Sequence, residues 1–177
     1  MVVKYLAVIS ALLFPFMAAA QSDGFYTDTE KGDWFSAHHS GDSGIHTDLC
    51  LLSNNEGTFA IRADSKNIQL ITINDQWNLP ADTSGDLWIT DGTYGETFTM
   101  GSLGPKQLRG EVTPLSVIDI VKTMNRSSNL SMLFGEKTRL TISLNGAGVA
   151  ANAFLDCIQT AQLVKIPSDS ISAKTPF

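Results

Sequence analysis

Basic residues are few and scattered along this chain: 12 Lys and Arg stand against 18 Asp and Glu, a formal charge of −6. Binding to nucleic-acid phosphates rests on clustered cations, so nucleic acid is excluded as a partner. The same balance argues against attraction to anionic membrane surfaces, and leaves solubility as the role of the acidity. After residue 20 there is no long apolar run. A membrane-spanning helix needs about 20 such residues, so no stable membrane insertion is expected of the chain once its first segment is gone.

Cysteine and histidine are scarce as well. The two cysteines, Cys50 and Cys157, form an even count, which in an oxidising compartment points to a bridge. A bond between them would close a loop of roughly 107 residues, worth about 4–5 kcal/mol in the chain-entropy account. Two buried thiols or an intermolecular link are the alternatives. The histidines are His38, His39 and His46. Neighbours such as His38 and His39 on a strand point to opposite faces, whereas zinc ligands sit at i and i+2 of a strand or i and i+4 of a helix. No metal site is expected from them, with or without Asp42 or Asp48, and no cofactor.

What is present begins with "MVVKYLAVISALLFPFMAAA", residues 1–20. Lys4, an apolar run from Tyr5 to Met17, and Ala18-Ala19-Ala20 make the pattern of a secretory signal peptide, with cleavage before Gln21. No Cys follows the small residues, so a lipoprotein anchor is not indicated. Loss of Lys4 would make the mature chain one unit more acidic. The expected organisation is a signal peptide over 1–20, a flexible lead-in over 21–32, one domain over 33–165 and a loose tail over 166–177. The size suits a single core.

Between Asp33 and Glu111 short β-type runs alternate with turn residues. Strands are expected near Trp34–His38, Thr47–Leu52, Thr58–Ala63, Ile68–Ile73, Leu87–Thr90, Thr97–Met100 and Gln107–Val112, from their β-branched and aromatic content and period of two. Asn54-Asn55-Glu56-Gly57, Asp64-Ser65-Lys66-Asn67, Asp82-Thr83-Ser84-Gly85 and Asp91-Gly92 are turn compositions. The last third changes character. Thr113-Pro114 offers a cap and a first helical residue, and Leu115, Ile118, Val121 and Met124 follow at helical spacing to Asn125. Strands at Leu130–Phe134 and Thr138–Leu144 come next. A second helix, capped by Asn145, carries Ala147, Ala150, Ala151, Phe154 and Ile158 on one face, with Cys157 at its inner edge. The fold class is α+β: a mostly antiparallel sheet or sandwich with two helices in the carboxyl-terminal third.

Three motifs invite chemistry. Gly41-Asp42-Ser43-Gly44 spells the nucleophile surround of chymotrypsin-like proteases, where glycines shape an oxyanion hole. In those enzymes it comes late in the chain and a second Gly follows; here Ile45 follows and few residues precede it, so a turn between two early strands is the better reading. Gly146-x-Gly148-x-x-Ala151 matches a dinucleotide fingerprint, but no second parallel strand with a ribose-binding acid follows. The glycines then serve a sharp strand-to-helix turn and close helix–sheet packing. The terminal Phe177 is shared with outer-membrane barrels, yet Ile171–Phe177 does not alternate and carries Lys174 and Pro176.

The helix "PLSVIDIVKTMNRS", the strands "NLSMLF" and "RLTISLNGAG", and the helix "VAANAFLDC" follow in an order similar to the end of the invasion-associated locus B family of exported proteobacterial proteins. Ser143-Leu144-Asn145-Gly146 and Ala150 occupy that family's Ser-Leu-x-Gly step and Ala-containing helix, and Asp33-Trp34 and Cys50 resemble its first Trp-bearing strand and Cys. The resemblance covers about a third of the chain. The family's central cysteine-bearing segment is absent, and Cys157 stands in the terminal helix, as in other proteobacterial periplasmic domains with a first-strand Trp and an early Cys. The resemblance implies a periplasmic or secreted β-rich domain of a Gram-negative bacterium, with no catalytic residues to carry over. No acid, base and nucleophile set assembles from the residues themselves, so the expectation is a non-enzymatic protein working by contact with a protein partner. Trp34, Trp77 and Trp88 are core candidates, and Trp77, at a strand-to-turn junction, is the one expected to be partly exposed and available to an interface. The alternatives are an inhibitor of a hydrolase, and a small hydrolase using Ser43 with His46 or a metal on His38 and His39.

Overall fold

A computed structural model describes residues 24–41, 45–135 and 138–165. The expected signal peptide, Ser43 and the expected tail beyond 165 lie outside the described residues. Among the described residues ten strands form one antiparallel sheet: β1 (Gly24–Lys31), β2 (Trp34–Ser40), β3 (Thr47–Asn54), β4 (Phe59–Asp64), β5 (Ile68–Ile73), β6 (Ser84–Thr90), β7 (Gly95–Gly104), β8 (Gln107–Val112), β9 (Asn129–Phe134) and β10 (Thr138–Ser143). Helix α1 (Pro114–Arg126) lies between β8 and β9, and α2 (Ala147–Thr160) follows β10. The spatial order is β1-β2-β3-β4-β5-β8-β7-β6-β9-β10. The expected α+β class and the strand and helix positions hold. The expected lead-in does not stay apart from the sheet: from Gly24 it is β1, paired with β2 from Gly24↔Ser40 to Lys31↔Trp34, with a bulge between Thr27 and Thr29.

Alternation explains most strands. Phe59, Ile61 and Ala63 of β4 are buried and their neighbours are not, as a one-sided sheet requires. These residues, with Trp34, Leu52, Leu70, Ile120, Phe154 and Ile158, make the core. Trp34 meets Phe59 edge-on, ring centroids 5.6 Å apart. Helix α1 starts as expected: the Thr113 side chain accepts from the Ser116 N–H and Pro114 takes the first turn. Its buried face is Val117, Ile118, Ile120, Val121 and Met124, whereas Leu115 is 55% exposed because at 100° per residue it points away from that face: a strict three-residue spacing drifts round the helix.

Helix α2 begins differently from the expectation. Its cap is Gly146, in the left-handed conformation at φ +82, and not the side chain of Asn145. A Cβ on Gly146 would lie 2.0 Å from the Lys31 carbonyl oxygen, and one on Gly32 (φ +58) 2.4 Å from that of Asn145. The two glycines let the turn after β10 rest on the β1–β2 turn. There the Asp33 N–H donates to the Asn145 oxygen at 3.0 Å, and the Trp34 indole N–H to the Ser143 oxygen at 2.8 Å. Gly148 serves helix–helix rather than helix–sheet packing: its Cβ would meet Asn125 of α1 at 2.6 Å, where Asn125 and Asn152 exchange hydrogen bonds. Across β3, Cys50 and Cys157 sit at disulfide-bonding distance with Cα atoms 6.1 Å apart, tying α2 to the sheet.

Candidate functional site

Three regions gather polar or aromatic side chains. The first is a groove of about 550 Å³ between β1, β2 and the second half of α2, lined by Asp28, His38, His46, Asp156, Cys157 and Thr160. His38 Nδ1 lies 2.6 Å from Asp28 of β1, and His39 Nδ1 2.6 Å from Asp48 of β3. Adjacent histidines thus engage carboxylates on opposite neighbouring strands, and Tyr26 stacks on His38 at 5.4 Å. Among the described residues no group of three His, Cys, Asp or Glu side chains is arranged to hold a metal ion. Gly41 follows the end of β2 in a turn, and the rest of the Gly-Asp-Ser-Gly segment, Ser43 included, lies outside the described residues.

The second region joins the β6–β7 turn to α1. The carboxylate of Asp91, nearly inaccessible, accepts from the Thr93 N–H at 2.8 Å, the Tyr94 N–H at 2.6 Å and the Ser127 hydroxyl at 2.5 Å, with Arg126 at 3.4 Å. Burial alone would raise its pKa. The donors and the guanidinium outweigh that and hold it well below the usual carboxylate range. Beside it, burial and the hydrogen bond to Glu96 push the Tyr94 phenol far up. Glu96 also accepts from Ser116 of α1 at 2.6 Å. Shifted groups can mark an active site, but every hydrogen bond here closes an internal contact. This region fastens α1 to the β6–β7 hairpin.

The third region surrounds Trp77. Residues 74–83 link β5 to β6, and their backbone is tied to the β7–β8 turn: Asn74 N–H donates to the Lys106 oxygen at 3.0 Å and Leu79 N–H to the Pro105 oxygen at 2.8 Å. Held this way, Trp77 packs edge-on against Phe134 of β9, centroids 4.7 Å apart. The pair forms one wall of an apolar crevice of about 290 Å³ with Leu79, Leu108 and Thr138. A second hollow of about 270 Å³ continues past Leu79 to Leu103, itself 52% exposed.

Of the residues singled out in the sequence, Cys50 and Cys157 are brought together, and Trp77 is half-buried at a surface crevice. Trp34 is core, as expected. Trp88 is not: at 44% it is the most exposed Trp, on the outer face of β6. The signal was the polar parity of Asp86 and Thr90 about Trp88, masked by the apolar run Leu87-Trp88-Ile89. Compared with protein-family models, with curated proteins and with solved structures, the chain finds no match. No helix among the described residues is long and apolar enough to cross a membrane.

Proposed function

We propose that this is an exported, non-catalytic protein of the periplasm or the medium that works by contact with a protein partner through the strip around Trp77. The observation that carries this reading is the Trp77–Phe134 pair at the mouth of an apolar crevice, on a loop whose backbone is hydrogen-bonded into the sheet. A half-buried aromatic anchor beside a pocket on a fixed scaffold costs little ordering on binding, which is how interface hot spots are built. Export is supported by the signal-like first 20 residues and by the bonded cysteines, which suit an oxidising compartment. The likeness of the last third to the invasion-associated locus B family is consistent with it. In crosslinked extract, the wild-type protein is expected to give a discrete adduct that Trp77→Ala loses while its unfolding midpoint stays near wild type. An adduct indifferent to Trp77→Ala contradicts the reading. An adduct with a hydrolase whose activity falls on binding would make the protein an inhibitor.

One observation favours a second reading, a small hydrolase. His38 Nδ1 rests on Asp28 beside the 550 Å³ groove, the orientation in which a carboxylate holds an imidazole as a base. The nucleophile would come from Ser43. Turnover of activated esters that is lost in both His38→Ala and Ser43→Ala would establish this reading over the first.

A further inference from the structure

The outward residues of β7, β6, β9 and β10 form a continuous face, set by register. Thr97 pairs with Trp88, Trp88 with Leu133, and Leu133 with Arg139, so one row crosses all four strands. The next row runs Gly95, Thr90, Ser131, Thr141. The indole of Trp88 lies over Gly95: a Cβ there would sit 2.9–3.3 Å from Nε1, Cε2 and Cζ2. These three atoms make up the Nε1 edge of the indole, so the ring edge occupies the space that a side chain at position 95 would take. Its accessible side leans over a hollow of about 460 Å³ lined by Thr90, Tyr94, Ser131 and Arg139. Ser131, at its wall, lies 3.3 Å from the Thr141 hydroxyl, and farther along the same sheet face Thr99 donates to Asp86.

We propose that this face is a carbohydrate-binding site for a β-1,4-linked pyranose chain, with Trp88 as the stacking platform. An equatorially substituted pyranose has an apolar C–H face and a rim of hydroxyls, and the site presents the complement: one flat aromatic plane inside a field of Thr, Ser, Asp and Arg groups. A protein partner would match a broader apolar area than this single ring, such as the Trp77 strip. The charges facing outward from the described residues of these four strands, Asp86 and Arg139, cancel, which suits a neutral chain and not a polyanion. Trp88 and Arg139 are two strand spacings apart, about 10 Å, so stacking at one sugar leaves Arg139 to reach hydroxyls of the next. The site goes beyond the contact function of the Trp77 strip and does not depend on it.

The test titrates purified protein with soluble tetramers of β-1,4-linked glucose and of β-1,4-linked N-acetylglucosamine, with the coiled α-1,4-linked glucose tetramer as contrast. Tryptophan fluorescence and ligand-observed NMR report binding. A β-1,4 tetramer is expected to bind with a dissociation constant on the order of 1 mM or tighter. Trp88→Ala should weaken it at least about tenfold, Trp88→Phe less, and Arg139→Gln about threefold, with Trp77→Ala unchanged. The Phe variant keeps a ring over Gly95 should the Ala variant fold poorly. No binding of either β-1,4 tetramer up to about 10 mM overturns the proposal, as does binding that survives Trp88→Ala. A protein crosslinking to this face while both sugars fail would likewise overturn it.

Discussion

Reduction of the Cys50–Cys157 bond should be the largest single loss of stability available in this chain. The bond joins residues 107 apart, from β3 to α2. Closing a loop of that length removes unfolded-state entropy worth about 4.8 kcal/mol at room temperature. A domain of this size has roughly 5–15 kcal/mol in total, so a third or more is at stake. Urea unfolding followed by tryptophan fluorescence reads it, since Trp34 is fully buried among the strands that the bond secures. With a slope of about 2 kcal/mol per molar, the midpoint should fall by about 2 M on reduction. The slope should rise, because the reduced unfolded chain is more extended. Replacing both cysteines by Ala should lose about 1 kcal/mol more, from the packing of the buried Cys50 sulfur. Labelling unreduced, urea-unfolded protein should find no thiol. Two labelled thiols, or a midpoint shift under about 0.5 M on reduction, would refute the reasoning.

Gly146→Ala should cost about 2–4 kcal/mol, because φ is +82 and the new Cβ would lie 2.0 Å from the Lys31 oxygen; Gly57→Ala, at φ +69 with open space around it, should cost about 1 kcal/mol. Equal melting shifts for the two would contradict the close-approach argument. Asp91 has a folded-state pKa below its unfolded value, so its ionised form stabilises the fold above about pH 4 and that contribution is lost as the pH falls through the folded pKa. Wild type should therefore lose stability, as the pH falls from about 4 toward the folded pKa, more steeply than Asp91→Asn, and parallel pH profiles in urea titrations would show that the carboxylate is not the cause. Asp91→Ala should cost about 2–4 kcal/mol at neutral pH, by stranding the donors of Ser127, Thr93 and Tyr94, and a loss below about 1 kcal/mol in the same titration would remove the fastening role.

Local order was legible in the residues, and long-range order was not. Period-two alternation in "FAIRAD" and the Thr113-Pro114 start write their own elements, because a strand face and a helix cap are decided within a few residues. Strand β1 is not legible in "GFYTDTEK", which has no apolar face of its own; its order comes from pairing with β2 and from α2 packing on it. The placement of β8 beside β5 and of β9 beside β6 depends on which edges are free when the later strands arrive, which no short window contains.

The sites divide the same way. The two cysteines and the tryptophans were visible as residue types. That Trp77 finds Phe134, 57 positions on, or that Trp88 lies over Gly95 is a matter of register and loop path. The cap of α2 falls one residue later than the side chains suggest, for a related reason. Asn145 has the right side chain for capping, but its backbone oxygen is engaged by Asp33 and the sharp turn requires the positive φ that Gly146 adopts without strain.

The proposed contact function is tested most directly by site-specific photocrosslinking in whole Gram-negative cells expressing the full chain. Leu103, at the end of the Trp77 strip, and Val149, on α2, are almost equally exposed, at 52% and 53%, so a photoreactive residue at each samples solvent alike. The account predicts a discrete protein adduct from position 103 that disappears when Trp77→Ala is added, and none from position 149. Adducts of equal yield from both positions, or a position-103 adduct that ignores Trp77→Ala, would contradict it.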